Sequence, residues 1–128
     1  MEKNFDKWNQ RKKKLNNWDN KRQCHEGEVW VVSIGVNVGC EIDGKNNNFS
    51  RLVLVVKRCN KDTFIGVPLT KTKVASRWYI PSKIQNIEGS VNLSQIKLFD
   101  QKRLLRLVEK VDAKYLEDVL KSIREIFI

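Results

Sequence analysis

The sequence predicts a mainly β domain of the α+β class, built as a small, strongly bent sheet or open barrel that a C-terminal helix closes. The chain has 128 residues, a length typical of a single domain. Residues 28–111 consist of short segments rich in β-branched and aromatic residues, separated by turn residues. Residues 112–127 instead place apolar side chains three and four positions apart, which is the spacing of an amphipathic helix.

Residues 1–25 predict a basic helical extension that precedes a domain at residues 26–128. One stripe of such a helix is apolar and the other face carries Lys and Arg; the stripe consists of Phe5, Trp8, Leu15 and Trp18. We favour a helix that packs on the core through its Trp side chains. A basic arm that binds RNA or a protein partner, or a frayed tail, are the alternatives.

The first strands are predicted by two apolar segments. Residues 28–34 are rich in β-branched residues. Residues 51–58 are almost continuously apolar between basic ends, which is typical of a buried central strand. The intervening residues 35–50 hold three Gly and four Asn and predict a long loop, an element that is often functional in a compact domain.

The next strands are shorter. Residues 59–62 predict a turn and residues 63–70 a third strand, in which Pro68 indicates an edge, a bulge or a strand end. Residues 71–77 predict a basic loop. A short strand at residues 78–80 is expected to end at Pro81, and residues 90–93 and 96–99 predict a last strand or a bent pair.

Two Asp residues mark helix starts near the C-terminus. Asp100 is expected to cap a short helical turn through Leu105, and residues 107–111 predict one more short strand. Asp112 is expected to cap the final helix. The apolar face of that helix is predicted to consist of Leu116, Val119, Leu120, Ile123, Ile126 and Phe127.

Composition and motifs exclude several classes of function. The three Cys have no zinc-ligand spacing and the chain has a single His, so we expect no metal site. No phosphate-binding GxxxxGK motif is present. The longest uncharged run, residues 29–40, is shorter than the about 18–20 apolar residues of a membrane span, and the basic start does not resemble a signal peptide. We therefore expect a cytoplasmic protein without a cofactor.

The net charge of +10 predicts a polyanionic partner, either nucleic acid or an acidic protein. Residues 1–25 carry +5 of this charge, residues 26–99 carry +4 and residues 100–128 carry +1. Half of the excess therefore lies on the predicted extension.

One arrangement of polar residues could act on RNA without a metal. The long loop carries Glu41 and leads to Arg51, and the third strand ends in Thr70, followed by Lys71 and Lys73. If the two strands pair, Arg51 and Thr70 lie at neighbouring ends. A carboxylate can take the proton of a ribose 2′-OH, and a guanidinium can hold phosphoryl oxygens. From spacing alone, ordinary surface groups at strand ends are the favoured interpretation.

Five segments, in this order, resemble the PemK/MazF family of toxin–antitoxin ribonucleases. They are GEVW at residues 27–30, VGCE at 38–41, the Arg51 that heads a strand, VPLT at 67–70, and SVNLSQIKLFD at 90–100. The resemblance covers residues 26–128 and leaves the N-terminal extension outside.

The resemblance implies a Src-homology-3-like barrel of the PemK/CcdB type with a C-terminal helix, usually in a homodimer. It implies a toxin that cleaves single-stranded RNA, including mRNA, at short sequences, through a 2′,3′-cyclic phosphate and without metal. It also implies an acidic cognate antitoxin that covers the RNA groove.

The resemblance assigns roles by position. Arg51 would stabilise the transition-state phosphate, Thr70 would contact it, and Glu41 is the candidate general base. The RNA path would be lined by Lys45, Lys71, Lys73, Ser94 and Gln95.

Three positions depart from the family pattern. Leu52 replaces a Pro, Ser94 replaces an Asp and Asn92 replaces an Arg found in some members. These departures predict slow cleavage, or RNA binding without cleavage. Two functions from other classes stay open: a non-enzymatic toxin that binds DNA gyrase, like the CcdB family, and a module that only binds RNA or protein.

Overall fold

The computed structural model describes residues 3–45 and 49–127. In these residues the elements are helix α1 (Phe5–Asn17), strands β1 (Glu28–Ser33), β2 (Ser50–Arg58), β3 (Thr63–Thr70), β4 (Tyr79–Ile84), β5 (Ile87–Asn92), β6 (Lys97–Asp100) and β7 (Leu104–Lys110), and helix α2 (Ala113–Ile126). Short 3₁₀ turns at Leu93–Gln95 and Gln101–Arg103 flank β6. Neither helix in this part of the chain has the length and apolarity needed to cross a membrane.

The seven strands form one antiparallel sheet in the order β4-β5-β3-β2-β1-β7, and β6 pairs with β3 beside that path. One edge of β3 pairs with β2. Its other edge pairs first with β6 and then with β5. This exchange of partners lets the sheet curl. The predicted mainly β, barrel-like fold with a C-terminal helix is confirmed.

Strand β2 is the buried centre of the sheet, as its continuous apolar run predicts. Alternate residues of a strand point to opposite faces, so β2 contributes to two separate cores. Val53 and Val55 pack on one face in a cluster with Trp30, Val32 and Phe64. Leu54 and Val56 pack on the other face, in a cluster that the buried Val119 of α2 helps to close.

Helix α1 packs on the domain through only part of its predicted apolar stripe. The Asn4 side chain caps its N-terminus by accepting a hydrogen bond from Lys7 N at 3.0 Å. Trp8 is only 4% exposed and Leu15 is also buried. Phe5 and Trp18, however, are 48% and 37% exposed, so the prediction that they share the buried stripe is wrong.

The exposure of Trp18 has a local cause. The helix ends at Asn17, and Trp18 has an extended backbone with φ −80° and ψ 128°, which takes its side chain off the helical stripe. The Trp18 ring lies 5.1 Å from the Arg22 guanidinium carbon instead. Just beyond, the buried Asn20 amide donates to the Lys102 and Leu104 carbonyls and fastens the segment that follows α1 to the sheet.

The prediction that a strand ends at Pro81 is wrong. β4 runs from Tyr79 to Ile84, because it lies at the sheet edge, where a residue without an N–H is tolerated. It forms a hairpin with β5 through Gln85 and Asn86, which both adopt positive φ angles, 50° and 63°. The turn lacks the Gly that usually marks such a hairpin in a sequence. For this reason the expected start of the strand, residue 90, is three residues later than the observed start at Ile87.

Pro68 lies where β3 changes partners. β3 pairs with β6 up to Gly66 and with β5 from Leu69 onward. A residue that cannot donate a hydrogen bond is therefore placed in the gap between two pairings, which agrees with the predicted irregularity.

The C-terminal elements differ slightly from their predicted limits. Asp100 caps the 3₁₀ turn by accepting from Lys102 N at 2.9 Å, but β7 already begins at Leu104. Asp112 is the N-cap residue of α2, although its side chain makes no capping hydrogen bond. Phe127 lies beyond the end of α2 and is exposed, with its ring 5.9 Å from that of Trp78, so it does not belong to the buried stripe.

Candidate active site

Arg51 and Thr70 are brought together by the register of the two central strands. Leu54 pairs with Val67 and Val53 with Pro68. Continuing this register by two residues places Arg51, at the start of β2, opposite Thr70, at the end of β3. Both residues line one cleft of about 440 Å³.

The Arg51 guanidinium is half-buried and held from two sides. Its Nε donates to the Asp43 carbonyl at 3.0 Å, and its Nη1 donates to the Leu69 carbonyl at 3.2 Å. Burial lowers the pKa of Arg51 and the nearby Asp43 carboxylate opposes that effect, so the group keeps its charge. Nη2 has no hydrogen-bond partner among residues 3–45 and 49–127, and it is available to a ligand.

Thr70 can act as a hydrogen-bond donor in this cleft. Its Oγ1 accepts from Thr72 N at 3.3 Å, which leaves the hydroxyl proton for another acceptor. Two of the predicted RNA-binding lysines, Lys45 and Lys71, are exposed and line the same cleft. Lys73 is instead paired with Glu88, at 2.5 Å between Nζ and Oε2.

The other predicted residues line a second, smaller cleft of about 220 Å³, with Glu41, Ser94 and Gln95 in its wall. The exposed Glu41 carboxylate accepts from Val38 N at 3.0 Å. In the described part of the chain it makes no hydrogen bond or ion pair with Arg51. The Ser94 hydroxyl donates to Asn92 Oδ1 at 2.6 Å, so two of the positions that depart from the family pattern bond to each other.

Three consecutive loop residues connect the two clefts. Glu41 lines the small cleft, Ile42 N donates to Gln95 Oε1 at 3.3 Å, and the Asp43 carbonyl accepts from Arg51. The position of this loop therefore determines both where Glu41 lies and how Arg51 is held.

Sequence reasoning missed three charged residues at these clefts. Glu88 and Arg106 line the Arg51 cleft, and Lys97 lines the small cleft. Burial and the neighbouring Arg103 lower the pKa of Lys97, while Glu41 opposes that shift. Glu88 was missed because the β4–β5 hairpin was not predicted, so the spacing gave no reason to place its side chain beside Arg51.

The arrangement combines a half-buried cation, a hydroxyl donor and two carboxylates. Such a set can hold a phosphodiester and move a proton. Within residues 3–45 and 49–127, no three His, Cys, Asp or Glu side chains cluster as metal ligands would.

Comparison with known structures supports the fold. MazF (Form-I) from Deinococcus radiodurans is 14% identical, with a TM-score of 0.67 over 82% of this chain and 96% of that one. An endoribonuclease from a mycobacterial species, solved in complex with its cognate antitoxin, is 14% identical with a TM-score of 0.62, over 80% and 92% of the two chains. The Mycobacterium tuberculosis toxin MazF-mt6 is 14% identical with a TM-score of 0.61, over 78% and 95%.

The sequence itself matches a family model. No curated protein is similar enough to match the chain. The family model that describes the PemK-like, MazF-like toxins of type II toxin–antitoxin systems matches residues 25–127, which is most of the chain and all of the sheet. The resemblance found in the sequence is confirmed, and the chain belongs to the PemK/MazF family of toxins of type II toxin–antitoxin systems.

Proposed function

We propose that this toxin is a metal-independent endoribonuclease that cleaves single-stranded RNA at selected sequences and leaves a 2′,3′-cyclic phosphate. The observation that supports this proposal most is that Arg51 and Thr70 lie opposite each other at the ends of β2 and β3 and line one cleft. The cleft volume of about 440 Å³ suits a phosphodiester and its sugar, since ligand sites typically occupy about 300–1,000 Å³.

In this mechanism Arg51 and Thr70 bind the scissile phosphate. Nη2 of Arg51 and the Thr70 hydroxyl donate to the two non-bridging oxygens, whose negative charge grows as the ribose 2′-oxygen attacks phosphorus. Hydrogen bonds from an ionised donor are stronger than neutral ones, and Arg51 is half-buried, which strengthens them further. The bond from phosphorus to the 5′-oxygen breaks, and that oxygen takes a proton from solvent.

Glu41 is the proposed general base that takes the 2′-OH proton. The competing carboxylate is Glu88, which lines the Arg51 cleft itself. Lys73 lowers the pKa of Glu88 through a hydrogen bond and its charge, and a lower pKa makes a weaker base. Glu41 makes no ion pair within the described residues and is preferred on this ground.

The RNA path in this proposal follows the lysines and amides around both clefts. Lys45 and Lys71 contact the backbone beside the reacting phosphate, and Ser94 and Gln95 contact nucleotides at the small cleft. Lys73 joins this path by exchanging Glu88 for a phosphate. Phosphate contacts of this kind release counterions, so RNA affinity is expected to fall as salt rises.

The proposed partners include an acidic cognate antitoxin and a second copy of the chain. The net charge of +10 is complementary to an acidic antitoxin segment. One similar structure contains an endoribonuclease with its cognate antitoxin, which supports this proposal. We place the homodimer in the cytoplasm, where its RNA substrate is found.

The test is cleavage of a long single-stranded RNA in EDTA by the wild type and by Arg51→Ala and Thr70→Ala. Loss of a donor to the transition state typically costs about 10²–10³-fold in kcat, and we expect that loss for Arg51→Ala. Arg58→Ala is the matched control, because Arg58 lies at the opposite end of β2 and bonds to Gln23 and Asn60. Wild-type cleavage rates in both site variants would contradict the assignment of Arg51 and Thr70. A wild type that does not cleave RNA would contradict the proposal that this toxin is an enzyme.

The base assignment has its own test in Glu41→Gln and Glu88→Gln. If Glu41 is the base, only Glu41→Gln removes the acidic limb of the pH–rate profile. Loss of that limb in Glu88→Gln alone would transfer the role to Glu88.

A further inference from the structure

The start of the N-terminal extension contacts the loop that connects the two clefts. Lys3 Nζ lies 2.9 Å from Asp43 Oδ2, and it donates to the Asn37 and Gly39 carbonyls at 2.5 and 3.0 Å. The Lys3 and Asp43 side chains are only 21% and 30% exposed, so this pair is better shielded from water than an ordinary surface ion pair.

Asp43 links this contact to the candidate active site. Its carboxylate accepts from Lys3 and, at 2.6 Å, from Asn37 N. Its carbonyl accepts from Arg51 Nε at 3.0 Å. A single residue therefore connects the N-terminal extension, the loop and the guanidinium that would bind phosphate.

The packing of α1 supports the same loop at its base. The Trp8 ring lies against Gly35, two residues after β1 ends at Ser33, and its centroid is 5.5 Å from that of the Phe49 ring, just before β2. The Arg103 guanidinium carbon lies 5.6 Å from the Trp8 ring, and Arg103 also donates to the Ser33 carbonyl at 3.0 Å. α1 thus touches both ends of the loop, and Lys3 touches its middle.

We propose that Lys3 is a positioning residue for the reaction: by pairing with Asp43 it holds the loop at residues 37–43 in place and keeps Arg51 free for the scissile phosphate. This inference rests on the proposed function. It gives the N-terminal extension, which lies outside the family match at residues 25–127, a role in the site of the toxin domain.

The physical reason is competition for Asp43. Without the Lys3 ammonium, the Asp43 carboxylate would lie beside Arg51 with no cation of its own. A carboxylate prefers a two-pronged contact with a guanidinium, so Asp43 would turn toward Arg51 and occupy its free Nη2. The guanidinium would then meet the phosphate already neutralised, and the loop would lose the bond at Asn37 N.

The test compares Lys3→Met with Lys7→Met in the full chain. Both substitutions remove one ammonium from the same end of the chain, but the exposed Lys7 side chain makes no hydrogen bond or ion pair within the described residues. We expect Lys3→Met to lower kcat about tenfold while KM changes less than about threefold, because Lys45 and Lys71 still bind RNA. Lys7→Met should match the wild type.

Two further variants separate positioning from simple destabilisation. Lys3→Arg keeps a cation beside Asp43 and should restore most of the activity. Asp43→Asn keeps an oxygen for Asn37 N but removes the charge that competes for Arg51, so adding it to Lys3→Met should recover activity. Equal kcat in Lys3→Met and Lys7→Met, or no recovery in the double variant, would overturn the proposal.

Hydrogen exchange provides a readout that does not depend on cleavage. The Asn37 amide, which donates to Asp43, should exchange about tenfold faster in Lys3→Met, while the Gln101 amide, which donates to the distant Asp62 carbonyl, should not change. If the wild type failed to cleave RNA, the proposed function would fall, while this exchange difference would still show that the Lys3–Asp43 pair holds the loop in place. Unchanged exchange at Asn37 would overturn that role of Lys3, whatever the activity.

Discussion

Substitution of Gly35 by Ala tests whether α1 is an integral part of the folded domain. Gly35 follows β1 and has a φ of +87°, a conformation that residues with a side chain rarely adopt. A Cβ atom added there would overlap Cε2, Cζ2 and Nε1 of the Trp8 ring. The ring cannot move away without opening the contact between α1 and the loop.

The expected cost has two parts. The positive φ costs about 1–2 kcal/mol for a residue with a Cβ. Forcing an extra methyl group into a closely packed site adds about 1–3 kcal/mol. Together they lower the free energy of unfolding by about 2–5 kcal/mol, a large share of the stability of a small domain.

Gly39→Ala is the matched control, since Gly39 also has a positive φ, +56°, but its added Cβ would meet no atom within 4 Å. It should cost only the conformational part, about 1–2 kcal/mol. Equilibrium urea unfolding measures the difference. With a slope of about 1–3 kcal/mol per molar urea, the midpoints of the two variants should differ by about 1 M.

The Trp8→Leu background identifies the source of the extra cost, because Leu lacks the ring atoms that the new methyl would overlap. In that background the two glycine substitutions should cost about the same. The interpretation is refuted if Gly35→Ala and Gly39→Ala are equally destabilising in the wild type, or if their difference persists in Trp8→Leu.

Two further predictions concern the extension and a buried thiol. Removing residues 1–22 should lower the melting temperature, because the buried contacts of Trp8 and Leu15 are removed with them. The salt dependence of RNA affinity should not change. A flatter salt slope would show instead that the Lys-rich face of α1 binds RNA. Burial, with a smaller effect of Glu28, raises the pKa of the Cys24 thiol from 9.0 to about 11. The folded state therefore holds the thiol proton more tightly than the unfolded state does. This contribution to stability is fully present below pH 9 and is lost as the pH rises from 9 to 11. Urea midpoints should therefore fall more over that range in the wild type than in Cys24→Ala.

Strands were predictable where the local pattern and the burial agree. The continuous apolar run between basic ends predicts β2 as a buried central strand, and the structure places it there. The β4–β5 hairpin was not predictable, because the turn has no Gly and because Gln85, whose residue type rarely does so, adopts a positive φ angle. The exposure of Trp18 was missed because the apolar spacing continues from Leu15 to Trp18, whereas α1 ends at Asn17.

The candidate site also has parts that the sequence predicts and parts that it does not. The strand spacing predicts Arg51 and Thr70 at neighbouring ends if β2 and β3 pair, and the structure shows that pairing. The separation of Glu41 from them depends on the path of a long loop, and the sequence does not specify that path. The contacts between Lys3 and Asp43 and between Glu88 and Lys73 join residues 40 and 15 positions apart, so they required the tertiary structure.

The central claim is that Arg51 and Thr70 direct cleavage by the neighbouring 2′-OH. Mass spectrometry of the RNA fragments, produced in EDTA by the wild type, tests this claim most directly. We predict fragments that end in a 2′,3′-cyclic phosphate, no cut at a site whose 2′-OH is replaced by hydrogen, and loss of these fragments in Arg51→Ala. Fragments that end in a 3′-hydroxyl, or cleavage at the 2′-deoxy site, would contradict the claim.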